Sequence, residues 1–322
     1  MDLERMLSKC RAQQWSVEDL DWGVVPRAME PDAEVAVVQY FKDMAALERL
    51  AGALFEEQRR LVSDPTLKEI FASFVVDEER HAVAAERLAA HYDVHRYRDY
   101  ATTPELVRFT PHFLNAIQFF TPEIANAYIT GGELLLDIAL LRSLNDYVHD
   151  EMSERAMELI NRDESRHIAI DFYMTEFYAS SAYQELVARQ PGKPLADRLK
   201  AWRAFAGVLV AAGPFLERVF FAPMARVDPT GKRLREAVKR IQILGSREGV
   251  RDRPFYRFMT ALRTTNKHRV LGPILGKVTR RLSGNFPEEF AGQLFDASEL
   301  ERADAMKIDE LAEDALRAKY SN

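Results

Sequence analysis

"DEERH" at residues 77–81 and "DESRH" at residues 163–167 are one acidic–acidic–x–Arg–His pentapeptide written twice in the same chain. A single copy carries little information. By composition alone a Glu stands three positions before a given His roughly one time in fifteen. Two copies, each inside a long run of i, i+3, i+4 apolar spacing, raise the question of whether they are halves of one site. On a helix, Glu78 and His81 share a face, as do Glu164 and His167. Both faces read as inward. Phe71, Phe74 and Ala85 flank Glu78, and Met157, Ile160 and Ile168 flank Glu164.

Working outward, the pentapeptides fall on the second and fourth of four long expected helices. The first helix opens after "EPDAE" and runs to about Leu61, with Pro31 in its first turn. "SDP" (63–65) is a tight turn with Asp64 as N-cap, and the second helix continues to about His91. Residues 93–121, with Pro104 and Pro111, read as a long connection holding a short helix. "TPE" (121–123) starts the third helix, capped by Thr121. A break near "NDYVHD" (145–150) leads to the fourth, which ends around Ser181. Strand signals are nearly absent, so the expected class is all-α.

Each pentapeptide has a matching carboxylate on the other arm of its hairpin. Counting back from the turn at Asp64 brings Glu48, in "AALERLAGALF", to the height of Glu78 at 1.5 Å rise per residue. Glu48 lies in an apolar stripe of Phe41, Met44, Ala45, Ala51 and Phe55. In the second hairpin, Glu133 of "TGGELLLDIALL" stands opposite Glu164. The spacings are 30 residues (Glu48 to Glu78) and 31 (Glu133 to Glu164). A lone E-x-x-H is more often a surface pair or a satisfied core histidine; the repeated spacing argues for a metal site instead. Four buried carboxylates need compensation, and two divalent cations neutralise them. A Glu from each of two helices plus Glu-x-x-His from each of two others is a carboxylate-bridged di-iron or di-manganese pattern. Asp77 and Asp163 are candidates to accept the free N–H of a ligating histidine and fix its tautomer. Arg80 and Arg166 are either partners of these aspartates across the bundle or solvated.

Glu48 followed by "DEERH", and Glu133 followed by "DESRH", resemble the duplicated E-x(n)-D-E-x-x-H signature of the ferritin-like di-iron oxygenases. That group includes arylamine N-oxygenases, acyl-carrier-protein desaturases and aldehyde-deformylating oxygenases. The resemblance covers about residues 31–182 and is nearest to the arylamine N-oxygenases. In one departure, those enzymes carry a further His where this chain has Ile160. The resemblance implies a ferritin-like four-helix bundle with a long crossover between helices 2 and 3. It also implies two iron ions (Fe2+/Fe3+, or Mn or a mixed pair) and O2 as co-substrate, reduced to a bridging peroxo. The reaction it implies is N-oxygenation, hydroxylation or a desaturation-type oxidation of a small organic or carrier-linked substrate. Asp137 and Asp171, one turn past Glu133 and His167, are candidate extra ligands or supporting groups. Phe55, Phe74, Tyr128 and Leu136 are candidate pocket walls, with plain core packing as the ordinary alternative.

The bulk numbers agree with a globular chain: 322 residues, 47% hydrophobic, 29% charged and net −6. Cys10 is the only cysteine, which excludes an internal disulfide and cysteine-rich metal sites and suits a reducing cytoplasm. "MDLERMLSKCRAQQW" lacks an apolar signal core. The apolar run "AFAGVLVAAGPFL" (204–216) is expected to be a buried helix, too short to span a membrane. The expected organisation is an N-terminal arm (1–30), the di-metal bundle (31–185) and a C-terminal helical extension packed on it (193–322), with "RQPGKP" (189–194) as boundary.

Residues 232–281 hold 15 Lys or Arg against 3 acids, whereas residues 284–322 hold 10 acids against 4 bases. The basic stretch reads either as a surface steering an acyl or peptidyl carrier protein or another acidic partner, or as the internal partner of the acidic C-terminal helix. No nucleic-acid module is visible. "GPILGK" (272–277) falls short of a phosphate-binding loop, and no G-x-G-x-x-G is present, so electrons are expected from a separate reductase or ferredoxin. A homodimer is the default assembly. The competing readings are an iron-handling ferroxidase and a carboxylate-rich scaffold without redox function.

Overall fold

The computed structural model describes residues 1–192, 194–266 and 292–318, with the backbone alone for 262–266 and 318. The described residues form helices and no strand. In chain order these are α1 (Leu3–Ala12), α2 (Pro31–Leu61), α3 (Pro65–Tyr92), α4 (Pro104–Ile117) and α5 (Pro122–Val148). There follow α6 (Glu151–Ala179), α7 (Ser181–Ala188), α8 (Leu195–Val227), α9 (Lys232–Ser246), α10 (Pro254–Asn266), α11 (Ala297–Ala305) and α12 (Ile308–Ala318). Helix α5 is π-helical over Leu134–Leu141, and α8 over Leu216–Phe221.

Local chemistry sets the boundaries of the long helices. Helix α2 begins with Pro31, Asp32 and Glu34 and ends with Arg59 and Arg60, so each end carries charge opposite to the helix dipole. Asp64 accepts from Leu67 N–H at 2.9 Å and caps α3. Thr121 caps α5, and Asp150 accepts from Ser153 N–H to start α6. Between α5 and α6 the chain reverses at His149, whose φ of 49° is left-handed. The connection at 93–121 holds the expected helix, which runs for 14 residues and contains Pro111.

Helix α2 packs on α3 and α5, and α6 packs on α5 and α3, so the four long helices close a ring. Phe41, Phe55, Ile70, Phe71, Phe74 and Leu88 fill its interior and are fully buried. Gln58 locks the two hairpins together. It donates to the Pro122 carbonyl at 2.8 Å and accepts from the Tyr178 hydroxyl at 2.8 Å.

The remaining elements share this core. Helix α1 lies on α3 and α6, α9 on the π-helical part of α5, α8 on α4, and α12 on α6. One continuous apolar cluster includes Leu140, Leu234, Ile243 and Leu311.

Three expectations need correction. The run at 204–216 belongs to a 33-residue helix whose apolar window is only 28% buried. Ala204, Val208 and Phe215 face α4, but Leu195, Leu199, Trp202 and Val210 are exposed on the opposite side. The apolar pattern runs on through Pro214 and the π-helical segment, so α8 and the mostly buried α5 are both long and apolar enough to cross a membrane. The acidic C-terminal segment forms two helices, because Asp296 and Glu299 box the start of α11 and the helix stops at Met306.

For the basic stretch, the internal pairing is the one observed. Lys239 pairs with Glu299, and Arg240 with Asp314. Residues 267–281 and the "GPILGK" segment lie outside the described residues.

Candidate metal centre

Glu48 on α2, Glu78 and His81 on α3, Glu133 on α5, and Glu164 and His167 on α6 converge in the middle of the helix ring. All six are at most 2% exposed. They form two overlapping groups, Glu48–Glu78–His81–Glu164 and Glu78–Glu133–Glu164–His167, with ligand atoms within 4.8 Å of one another in each. Each group has one private carboxylate and one private imidazole. Glu78 and Glu164 belong to both.

Close helix approach makes this convergence possible. A Cβ on Gly52, one turn past Glu48, would stand 3.2 Å from the Glu78 Cβ. A residue without a side chain here lets α2 reach the height and distance at which Glu48 and Glu78 meet. Phe74 and Phe55 pack on His167 with ring centroids 4.2 and 5.0 Å away, fixing its plane from the apolar side.

The imidazoles turn Nδ1 to the cluster and Nε2 away from it. His81 Nδ1 lies 3.1 Å from Glu164 Oε1, and His167 Nδ1 lies 3.1 Å from both Glu78 Oε1 and Glu164 Oε2. On the outer side the pentapeptides cross over. His81 Nε2 meets Asp163 at 3.1 Å, and His167 Nε2 meets Asp77 at 3.5 Å. The aspartate of each copy thus serves the histidine of the other, the arrangement that selects a tautomer and leaves Nδ1 free as a ligand.

Two arginines tie this crossing together. Arg166 donates to Asp163 at 2.6 Å and Asp77 at 3.2 Å; Arg80 donates to Asp77 at 2.9 Å and Asp163 at 3.3 Å. Both guanidiniums are therefore partners of the aspartates. Trp15 donates its indole N–H to Asp163 at 2.7 Å, and Gln14 donates to Asp77 at 3.2 Å. The loop after α1 thereby closes over the network. Sequence reasoning missed Trp15, Gln14 and Gly52. Gly52 left a signal, a lone glycine in a strong helical stripe one turn from a ligand; Trp15 left none.

Burial and mutual repulsion dominate the electrostatics of the cluster. Burial, and then repulsion from Glu78, holds the Glu48 carboxyl well above its usual range; burial and repulsion from Glu164 do the same to Glu133. Burial also raises Glu78, reinforced by Glu164. Burial would raise Glu164 too, but a hydrogen bond from Glu133 and the charge of His167 bring it well below. Both histidines are raised, because their carboxylate partners outweigh burial.

Of the atoms aimed at the centre, Glu48 Oε1, Glu78 Oε2 and Glu133 Oε2 have no hydrogen-bond partner among the described residues, and Glu78 Oε1 and His81 Nδ1 have only the 3.1 Å approaches to His167 Nδ1 and Glu164 Oε1. Unsatisfied buried acceptors of this density are costly. Cations at the two overlapping positions would satisfy them, so the donor set fits a pair of divalent metals with oxygen and imidazole ligands.

The other candidate residues stand outside these groups. Asp137 and Asp171 are fully buried but belong to neither. Burial raises Asp171 well above the carboxylate range, and neither of its oxygens has a partner. Tyr128 stacks on Phe120 at 5.1 Å within a cluster that includes Phe113 and Phe255. Leu136 is buried in the π-helical segment. No family model matches the chain, and no curated protein matches it.

Proposed function

We propose that this chain is a ferritin-like di-iron protein that uses O2 to oxidise a small organic substrate. The observation that carries the proposal is the sharing of Glu78 and Glu164 between two otherwise private ligand groups. Shared carboxylates hold two metals close enough to act on one O2 molecule. Iron bound here would supply the electron transfers that reduce and activate O2; everything else falls to the side chains.

Glu48 and His81 would hold one metal and Glu133 and His167 the other, with Glu78 and Glu164 available to both. Carboxylates can bind through one oxygen or two, so the same set accommodates a change of metal charge. Asp77 and Asp163 hold the Nε2 protons of the histidines, whose hydrogen bonds and charges, with Arg166, keep both aspartates ionised. Phe55 and Phe74 keep water from the His167 side. Electrons for repeated turnover come from a separate donor protein, such as a reductase or ferredoxin.

The test is O2 consumption by protein loaded with Fe(II) without oxygen. Rapid uptake of O2 that is lost in Glu78→Ala and Glu164→Ala supports the reading. Iron-loaded protein that consumes no O2 refutes it. Uptake that continues catalytically with Fe(II) as the only reductant, depositing ferric mineral, would favour iron handling instead.

A further inference from the structure

A cavity of about 260 Å³ opens between α2, α5 and α8, and no residue of the metal centre lines it. Its inner wall is apolar: Met44 stands one turn before Glu48, and Leu140 roughly two turns past Glu133. Arg98, Arg218 and Arg226, all three exposed to solvent, line its outer part as well. The π-helical segments of two helices both contribute to its wall, Leu140 from one and Arg218 from the other. Such segments forgo regular hydrogen bonding and concentrate at functional sites.

Three features point to an occupant. The Tyr40 hydroxyl belongs to a residue only 7% exposed, lines the cavity and has no hydrogen-bond partner. An unpaired buried hydroxyl is costly unless a ligand satisfies it. Among the described residues Arg218 has no carboxylate partner, and Arg226 makes a single, long hydrogen bond, 3.4 Å from Nε to the Tyr147 hydroxyl. The one acid in the wall is already engaged. Asp43 accepts from Thr103 N–H at 2.7 Å, Thr103 Oγ1 at 2.6 Å and Gln39 at 3.2 Å, clamping α2 to the start of α4. Arg98 is held by Gln39 and lies over the Tyr100 ring. The volume lies just below the roughly 300–1,000 Å³ of pockets that take drug-sized ligands, so a small molecule is the size class that fits.

We propose that this cavity binds a small amphipathic organic anion. Its anionic oxygens are held by Arg218, Arg226 and the Tyr40 hydroxyl, and its apolar end lies between Met44 and Leu140. As the substrate subsite of the di-iron centre, this rests on the function proposed above; as a binding site, it stands on the cavity alone.

The experiment is calorimetric titration of the full chain, metal-free and Fe(II)-loaded without oxygen, with hexanoate, hexyl phosphate, inorganic phosphate and 1-hexanol. At least one of the two amphipathic anions should bind about tenfold or more tightly than both phosphate and hexanol. The preferred one identifies the head group as carboxylate or phosphate. Arg218→Gln combined with Arg226→Gln should weaken that binding by about tenfold or more, and Tyr40→Phe by severalfold. Arg189→Gln, an exposed change outside the cavity, should leave it unaltered. Circular dichroism and melting temperature verify that each variant is folded, and iron content is measured alongside.

Equal binding of inorganic phosphate, equal binding of hexanol, or no loss in the double variant overturns the proposal. So does the absence of binding by either amphipathic anion. Anion binding that depends on these arginines in a protein that holds no iron would keep the site and remove the di-iron reading. Two irons with no anion binding would do the reverse.

Discussion

Replacing Asp163 by Asn probes the crossed network that supports both histidines. The carboxylate is fully buried and receives Arg166 at Oδ1, and Arg80, Trp15 and His81 at Oδ2. Asn keeps the shape and one acceptor but removes the charge facing two guanidiniums whose side chains are only 10% and 5% exposed. Its amide N–H groups would point at existing donors. Breaking a buried ion pair from one side costs about 3–5 kcal/mol. Asp77 still touches both arginines, which reduces the expected loss to about 2–3 kcal/mol by the usual range for charged hydrogen bonds.

The metal should suffer separately. His81 loses the partner that fixes its tautomer, and affinity should fall about 10–100-fold. Urea unfolding of the metal-free protein reads the first quantity, and competitive metal titration the second. Asp77→Asn should act in the same way through His167, and the double variant should be non-additive because the two sites share both arginines. A loss below about 0.5 kcal/mol together with unchanged metal affinity would refute the network's role; surface substitutions do no more than that.

Other consequences follow from the same geometry. Glu78→Ala and Glu164→Ala remove a shared ligand and should lower the iron content by nearly both ions, whereas Glu48→Ala or Glu133→Ala should spare one; elemental analysis distinguishes these outcomes. Gly52→Ala places a methyl 3.2 Å from the Glu78 Cβ, so it should weaken metal binding while helical content stays near native, read by titration and circular dichroism. Gly131→Ala and Gly132→Ala add a Cβ that meets nothing within 4 Å; each should stabilise the helix by up to about 1 kcal/mol in urea unfolding.

The pH dependence has two parts with opposite signs. Burial would raise Asp77 and Asp163, but the hydrogen bonds and charges of the histidines, with Arg166, lower both. Their contribution to metal-free stability is therefore full above the ordinary Asp value of about 3.9 and is lost as pH falls through the lowered folded values, which acid unfolding can follow. Glu48, Glu133, His81 and His167 are raised, so they retain protons that metal must displace. Metal affinity should rise with pH, and calorimetry in buffers of different ionisation enthalpy should detect proton release.

Much of this architecture was legible because its signals are local. Asp64, Thr121 and the prolines after each cap mark helix starts, and the 30- and 31-residue spacings place four carboxylates at one level. The pairing of each aspartate with the opposite histidine was not legible, since both copies present identical partners and only the packing of α3 on α6 decides between them. Trp15 reaches Asp163 across 148 positions of sequence, a contact set by where α1 docks. The run at 204–216 misled because hydropathy reports composition and not which face finds a neighbour: Val208 is buried on α4, whereas Val210, two residues on, is exposed.

The most direct test of the central claim is the number of irons retained per chain after anaerobic loading with Fe(II) and removal of free metal. The account predicts about two, as for carboxylate-bridged pairs held by four glutamates and two histidines. Retention of none, or of one that survives Glu78→Ala, would show that the repeated pentapeptides do not form a shared di-metal site.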